Sequence, residues 1–422
     1  MVKAGAIRLL YFGYNFLSKN RLEKYYKEVS EHNKPESAFN IISLKNYLKR
    51  WGFNSTLELN PLMSKKNIIE SSGKADLSKI KSWAYTGGSY GEPIRIPYSL
   101  QRNLIRTATF KYFNEQGGYH LGDPFVLIRA KNKSSIQKYF RNETIFLPLD
   151  VSESRLNEFV QELKRKKIKV LMGYPTVIYE LAQYLFHHPE KKKGLSLKSI
   201  ITVSEPLEDY KRQLIPDIFQ CKVIDRYSNE EVGLIAQQKE FGGEYFVNKY
   251  GVYTEVINPD TLKPVQEGEQ GKVVVTDVYN DLIPVIRYDT GDLATVHRYS
   301  NGQLVSIANI IGRVNEQIFS ISNQPVSPLA LGPFIYKPLS HQGEVFQYQF
   351  AQLNASQYEL RIRAKVNQLP EDLIHEIISG LEDALGKGST VSLKLVEEIK
   401  PLPSGKRPIF KNEMSNKNHI SD

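Results

Sequence analysis

Between residues 144 and 227, four short apolar stretches (144–149, 169–172, 199–203 and 222–227) alternate with helical patterns over 153–166, 176–187 and 207–219. Strands that return through a helix pair in parallel, with right-handed crossovers. Pro175 and Pro206 stand where two of these helices begin, a place where the missing N–H costs nothing. An α/β core on a parallel sheet is predicted. In such sheets ligands bind beyond the carboxyl ends of the strands.

Around this core the pattern changes. Residues 1–80 read as mainly helical, with helical spacing over 22–29 and 38–48 and breaks at Pro61 and Gly73. From 244 to 311, stretches of alternating polarity at 253–257, 272–278, 293–297 and 303–307 predict antiparallel or barrel-like structure appended to the core. Beyond Gly312-Arg313, strands at 346–353, 358–366 and 390–396 and a helix at 371–385 predict a small separate unit. The fold class is therefore α/β. A large N-terminal α/β domain, residues 1–312, has a parallel sheet core and an appended antiparallel β-region. A small C-terminal α+β domain covers 313–422.

At 422 residues the chain can enclose a buried site. Its one cysteine, Cys221, excludes an internal disulfide framework or a Cys-rich zinc centre, and fits a reducing cytoplasm. Neither Cys221 nor any serine has the local context of a covalent nucleophile. The histidines lack ligand spacing, and the adjacent His187 and His188 read as structural. The net charge of +10 favours anionic partners, such as a nucleoside triphosphate or an acidic membrane surface. The densest basic runs, 164–167 and 191–193, fall at predicted helix ends, where cations complement the helix dipole. They read as solvated surface, and no nucleic-acid partner is expected. No apolar stretch reaches the ~20 residues that span a bilayer. The Leu-, Tyr- and Phe-rich segment 4–17, interrupted by Arg8 and Asn15, reads as a buried or interfacial helix. It leaves peripheral contact with the inner face of the membrane open. The sequence does not speak to oligomeric state.

The chemistry resides in a set of loops. Thr86-Gly87-Gly88-Ser89-Tyr90-Gly91 can turn several backbone N–H groups toward one anion, without the Gly-Lys-Ser/Thr ending of a Walker loop. Gly173-Tyr174-Pro175, Ser204-Glu205-Pro206-Leu207 and the run from Asp225 to Gly233 each end a core strand. Arg287-Tyr288-Asp289-Thr290-Gly291-Asp292-Leu293 lies in the second region, and Gly312-Arg313 closes it. Pro403-Ser404-Gly405-Lys406 lies near the C-terminus.

In this order and spacing the set resembles the adenylate-forming superfamily of acyl-CoA synthetases, adenylation domains and luciferases. It is most similar to the phenylacetate–CoA ligase-like branch, and within it to the CapK-type proteins associated with capsule biosynthesis. The resemblance runs from about residue 83 to 411. It implies that ATP, magnesium and a small carboxylic acid react to acyl-AMP and pyrophosphate. The acyl group then passes to coenzyme A or to another acceptor such as a polysaccharide precursor. It further implies that Thr86, Gly87, Gly88, Ser89 and Gly91 cradle the pyrophosphate end of ATP, and that Ser204, Glu205 and Pro206 line the adenine site through their backbone. Tyr227 would stack on the base, Glu231 bind magnesium, Asp292 hold the ribose hydroxyls and Arg313 touch the nucleotide near a hinge. Lys406 would be the catalytic lysine of a mobile C-terminal lid.

Those residue types suit the reaction. Attack of a carboxylate on the α-phosphate brings two anions together, and a metal and a lysine offset the charge that builds there.

This chain departs from the family in places. Ser228 replaces a glycine, Glu230 a hydroxyl residue, Asp289 a frequent arginine, and Asn315 a common hinge aspartate. Two other readings compete: a sugar-phosphate nucleotidyltransferase, and a catalytically silent scaffold in an envelope-biosynthesis complex.

Overall fold

A computed structural model of the chain describes residues 7, 11, 13, 15–34, 37–85, 95–129, 132–205, 207, 209–311, 318–326, 328–340, 345–364, 366, 368–402 and 408–414. Three helices lead in: α1 (Arg21–His32), α2 (Ile41–Arg50) and α3 (Lys65–Gly73). The strands β1 (Ser82–Tyr85) and β2 (Arg95–Tyr98) then form an antiparallel pair, and α4 (Leu100–Gln116) follows.

Eleven strands make the main sheet. The first five are β3 (Phe125–Ile128), β4 (Glu143–Phe146), β5 (Val170–Gly173), β6 (Ser199–Val203) and β7 (Lys222–Asn229). Then come β8 (Gly233–Gln238), β9 (Tyr245–Val247), β10 (Val252–Ile257), β11 (Gln270–Asp277), β12 (Tyr288–Ser300) and β13 (Gln303–Ile311). The order across the sheet is β10-β11-β12-β13-β9-β8-β7-β6-β5-β3-β4. From β4 to β7 all neighbours are parallel, and from β7 to β10 all are antiparallel.

The parallel half is the one read from the alternation, and its crossovers carry α5 (Ser135–Arg141), α6 (Glu153–Arg165), α7 (Pro175–His187) and α8 (Asp209–Phe219). The helix α6 buries Leu156, Phe159, Val160 and Leu163, a 3-4 spacing that lays one face on the sheet. The Phe159 ring stacks on Phe146 of β4, with centroids 4.0 Å apart. The basic runs are partly tied into the fold. Lys166 pairs with Glu162 at 2.8 Å, and Lys191 donates to Asn157 at 2.7 Å and to the Tyr184 hydroxyl at 2.6 Å. His188 lies 3.0 Å from a Glu153 carboxylate oxygen and against the Tyr184 ring, a structural place.

The antiparallel half continues the same sheet. Between β12 and β7 lie three strands, so in a flat sheet they would stand about 19 Å apart. The Tyr227 hydroxyl of β7 nevertheless donates to Asp292 of β12 at 2.7 Å. The sheet must therefore curl back on itself, around an apolar core that includes Val232, Ile235, Val247, Val256, Val273, Val275, Ala294 and Ile307. That curl is what the barrel-like polarity pattern reflects.

Residues 318–414 have a core of their own. The strands β14 (Ile318–Phe319) and β15 (Pro325–Val326) precede α9 (Pro328–Ser340). A four-stranded sheet, ordered β18-β17-β16-β19, follows from β16 (Val345–Gln352), β17 (Gln357–Ala364), β18 (Thr390–Leu395) and β19 (Phe410–Asn412). The helix α10 (Glu371–Leu385) lays Leu373, Ile377, Leu381 and Leu385 on that sheet, beside Phe350, Leu360 and Ile335. Gly380 lets α9 approach closely, because a Cβ there would stand 2.5 Å from the Phe334 ring. Toward the large sheet, Arg363 of β17 reaches buried Glu180 of α7 at 3.7 Å. Of segment 4–17, Ile7 is buried while Phe16 and Leu17 are exposed. No helix among the described residues is long and apolar enough to cross a membrane.

Candidate active site

The carboxyl ends of β5, β6 and β7 carry three of the loops identified above. Gly173 ends β5 in a conformation, φ +151°, where any Cβ would lie 2.4 Å from that of Ile128, so only glycine fits. Ser204 follows β6 with φ +73°, an unusual geometry for a residue with a side chain, and is exposed. Glu205, next to it, serves the neighbouring helix. Its carboxylate accepts from the Thr176 N–H at 3.2 Å and from the Thr176 hydroxyl at 2.7 Å. Tyr174 gives α7 no side-chain cap, and Glu205 places an anion at that positive helix end instead. Residues 204–205 are thereby tied to the start of α7 at the carboxyl end of β6.

The run from Asp225 to Gly233 forms the end of β7 and its turn into β8. Asp225 is buried, accepting from the Thr202 hydroxyl at 2.6 Å and from the Tyr245 hydroxyl, and burial raises its carboxyl. On the opposite face Arg226 bonds Gln237 at 2.7 Å and Asn114 at 2.8 Å, and burial pushes its guanidinium down to about 9. Both are structural supports under Tyr227.

Two tyrosine–carboxylate hydrogen bonds then cross between the 225–233 run and the 287–293 motif. Tyr227 donates to Asp292 at 2.7 Å and lies 3.3 Å from the Thr290 hydroxyl. In return Tyr288 donates to Glu231 at 3.0 Å. Thr290 fixes the turn, donating to the Val273 carbonyl at 2.9 Å and accepting from the Asp292 N–H at 3.1 Å. Glu231 is 2 % exposed, whereas Tyr227 and Asp292 are half-buried. Three of the expected site residues, Tyr227, Glu231 and Asp292, are thus brought together from two distant strands, with Ser204 and Glu205 at the next strand end.

The rest of the expected set, Thr86, Gly87, Gly88, Ser89, Gly91, Pro206, Arg313 and Lys406, lies outside the described residues, as does Asn315. The neighbours of the glycine loop are described. Tyr85 and Arg95 pair across β1 and β2, bringing its two ends together. Tyr98, at the end of β2, donates to the Glu230 carbonyl at 2.9 Å.

Sequence reasoning did not single out Tyr288, although it stands inside a motif already noted. It also missed Arg102 of α4, whose Nε is 2.6 Å from Asp277 and whose Nη2 donates to the Val232 carbonyl at 2.5 Å. Arg287, in the same motif as Asp292, proves to be a buried clasp. It donates to the carbonyls of Glu58, Asn60 and Leu262 at 3.0–3.1 Å and pairs with Glu255 at 3.3 Å. Asp289 accepts from Lys272 at 2.8 Å, which accounts for a carboxylate there.

A magnesium site is compatible with these donors. Among the described residues no three His, Cys, Asp or Glu side chains gather to hold a metal by themselves. Glu231 offers a single oriented carboxylate, which suits an ion that takes its remaining oxygens from phosphates and water.

No family model matches the chain. Protein CapK of Staphylococcus aureus is 24% identical over 412 residues, 93% of this chain and 85% of that one. A phenylacetate-coenzyme A ligase of Pseudomonas putida is 22% identical over 261 residues, 60% of this chain and 59% of that one. Among solved structures, a 2-hydroxyisobutyryl-CoA ligase in the postadenylation state with 2-HIB-AMP has a TM-score of 0.67 at 16% identity, covering 94% of this chain and 90% of that one. In its thioesterification state the TM-score is 0.52 at 18% identity, covering 95% and 91%. In sequence this chain is thus similar to the phenylacetate–CoA ligase-like branch of the adenylate-forming superfamily, and its fold is the one these CoA ligases share.

Proposed function

We propose that this chain activates a carboxylic acid with ATP and then transfers the acyl group. A carboxylate oxygen attacks the α-phosphorus, the bond to the bridging oxygen breaks, and pyrophosphate leaves. The acceptor's nucleophile then attacks the acyl carbon of acyl-AMP and releases AMP. The observation that carries the reading is the crossed pair Tyr227–Asp292 and Tyr288–Glu231, which brings together groups from β7, its following turn and β12.

Each residue has a role in this reading. Tyr227 supports the adenine ring, and Asp292, held by the Tyr227 hydroxyl, accepts from the ribose hydroxyls. The backbone of Ser204, Glu205 and Pro206 lines the base. Thr86, Gly87, Gly88, Ser89 and Gly91 hold the leaving pyrophosphate, and Arg313 contacts the nucleotide. Glu231 is the magnesium ligand, oriented by Tyr288. Magnesium, when bound, offsets charge on the phosphoryl oxygens. Lys406 supplies the cation that stabilises the developing charge at the α-phosphate.

Residues 1–312 form the binding domain and 313–422 a lid that turns about Arg313. The separate core of residues 318–414 supports that division, and so does the higher TM-score against the postadenylation than the thioesterification state. Coenzyme A is the acceptor that the ligase relatives favour; a polysaccharide precursor is the alternative that the resemblance to capsule-associated proteins raises. The place of work is the cytoplasm, at the inner face of the membrane if the acceptor is lipid-borne.

To test the reading, purified protein is given ATP, magnesium and a panel of aryl, fatty, amino and hydroxy acids. Adenylates are trapped with hydroxylamine, and pyrophosphate exchange is followed. Exchange that requires an acid is expected. Exchange that requires a sugar phosphate instead would identify a nucleotidyltransferase, and ATP binding without turnover on any acid a scaffold.

A further inference from the structure

Glu230 stands where the family resemblance expects a small hydroxyl residue, directly before the carboxylate read as the magnesium ligand. An extra carboxylate there would oppose a bound triphosphate and compete for its metal. The structure disposes of that charge in a specific way. The turn from β7 to β8 is pinned from below by Tyr98 on the Glu230 carbonyl and by Arg102 on the Val232 carbonyl. The Asn229 side chain closes it, accepting from the Val232 N–H at 2.9 Å. With the backbone fixed, the two acids diverge: Glu231 is buried against Tyr288, and Glu230 is directed outward. There Arg106 of α4 meets it, Nη2 to Oε2 at 3.2 Å.

Arg106 is itself held in place. Its guanidinium lies over the Tyr98 ring at 5.6 Å and over the Phe110 ring at 5.2 Å. Gly233, at φ +89°, turns the chain beside it, the point where a Cβ would stand being 3.8 Å from Arg106 Nε. A surface ion pair between two freely moving side chains contributes little. A guanidinium fixed between two aromatic rings keeps its charge at one point, where it screens one particular carboxylate.

We propose that Arg106 is a positioning residue: it neutralises Glu230 and holds it away, so that Glu231 alone faces the nucleotide and its metal. This rests on the reading of Glu231 as magnesium ligand, and it accounts for how a chain with an acid at 230 can bind ATP. If so, 106 and 230 form one unit, and losing the arginine matters only while the acid remains.

The test is a double-mutant cycle on the full chain, with MgATP affinity measured by calorimetry and adenylation by pyrophosphate release. Arg106→Gln keeps the stem against Tyr98 and removes the charge; thermal unfolding without nucleotide checks that it folds. Arg106→Gln should weaken MgATP binding by about tenfold and raise KM with little change in kcat, in line with one lost charge contact. Glu230→Gln added to Arg106→Gln should restore affinity to within about twofold of the parent, a rescue that purely structural damage would not show. Parental affinity in Arg106→Gln, or failure of Glu230→Gln to restore it, overturns the proposal; the second result would make Arg106 a direct phosphate contact. A parent chain that binds no MgATP at all would instead overturn the reading of the site itself.

Discussion

The large sheet and the small one handle charge in opposite ways. In the large sheet two arginines are fully buried and spent on holding loops. Arg287 is inaccessible and grips three carbonyls, and Arg102 is locked on Asp277. In the small sheet the ionic groups form a half-buried network around buried Glu359. Arg361 bridges Glu359 at 2.7 Å and Glu413 at 2.9 Å, Lys411 reaches Glu413 at 2.8 Å, and Lys394 joins Glu359. Beneath them is a self-contained apolar core. The first arrangement preorganises a fixed binding surface. The second stabilises a body with a core of its own, as the proposed lid would need.

The comparison can be broken most directly at Arg287. Arg287→Met leaves Glu255 buried without its cation and should cost about 3–5 kcal/mol. Urea unfolding should show the loss in the large sheet and leave the small unit unchanged. A single transition that moves as a whole would mean the two parts are not energetically separate.

Lys406→Ala should do the reverse. Adenylate formation is expected to fall on the order of 10²–10³-fold, the scale of one lost transition-state charge contact, while ATP binding is retained. Transfer from synthetic acyl-AMP should fall much less, since the lid has by then turned. Equal loss in both half-reactions would end the two-position account.

Smaller effects sharpen the picture. Glu231→Gln should weaken use of MgATP on the order of tenfold, more than Glu230→Gln does, because only Glu231 faces inward toward Tyr288. Tyr288→Phe should cost about 1 kcal/mol of nucleotide affinity by removing one hydrogen bond from that carboxylate. An unchanged magnesium titration in Tyr288→Phe would detach the crossed pair from function.

The smallest effect is in the small sheet. Burial works against ionising Glu413, but hydrogen bonds from Arg361 and Lys411 outweigh it and lower its carboxyl to about 2. A depressed acid stabilises the fold above its unfolded value, so this contribution is lost as pH falls from about 4.5 toward 2. Since the group is only half-buried and solvent screens the pair, its size is about 1 kcal/mol or less. Arg361→Ala should flatten the acid limb of the small unit's stability curve, as read by circular dichroism.

Much of the frame was legible because periodicity is a local signal. The parallel strands and their helices fall within a few residues of the pattern, and α10 coincides with residues 371–385. What escaped has a common cause. The helix α4 buries Arg102 and Thr109 on the same broad face as Leu104, Ile105, Ala108 and Phe113, so its buried face makes no clean apolar stripe. The strands β3 and β9 are four and three residues long, too short for alternation to show. At the candidate site, Tyr227, Glu231 and Asp292 could be named in advance because a family pattern marks them, and the structure brings them together. Tyr98, Arg102 and Arg106 act on carbonyls and on a family-atypical acid, which no motif encodes.

The curl of the sheet bears on when the protein becomes competent during its synthesis. Tyr227 and Asp292 are 65 residues apart in sequence, and Glu231 and Tyr288 are 57 apart. Neither bond can close until the strands between them have been made and paired, and such long-range closures come late and slowly in folding. A nascent chain emerging from the ribosome would complete its parallel strands while the nucleotide site was still open. Capacity to bind ATP would then arrive in one step, once β12 had emerged and curled over β7. A truncated product ending before residue 288 would thus compete for no nucleotide in the cell.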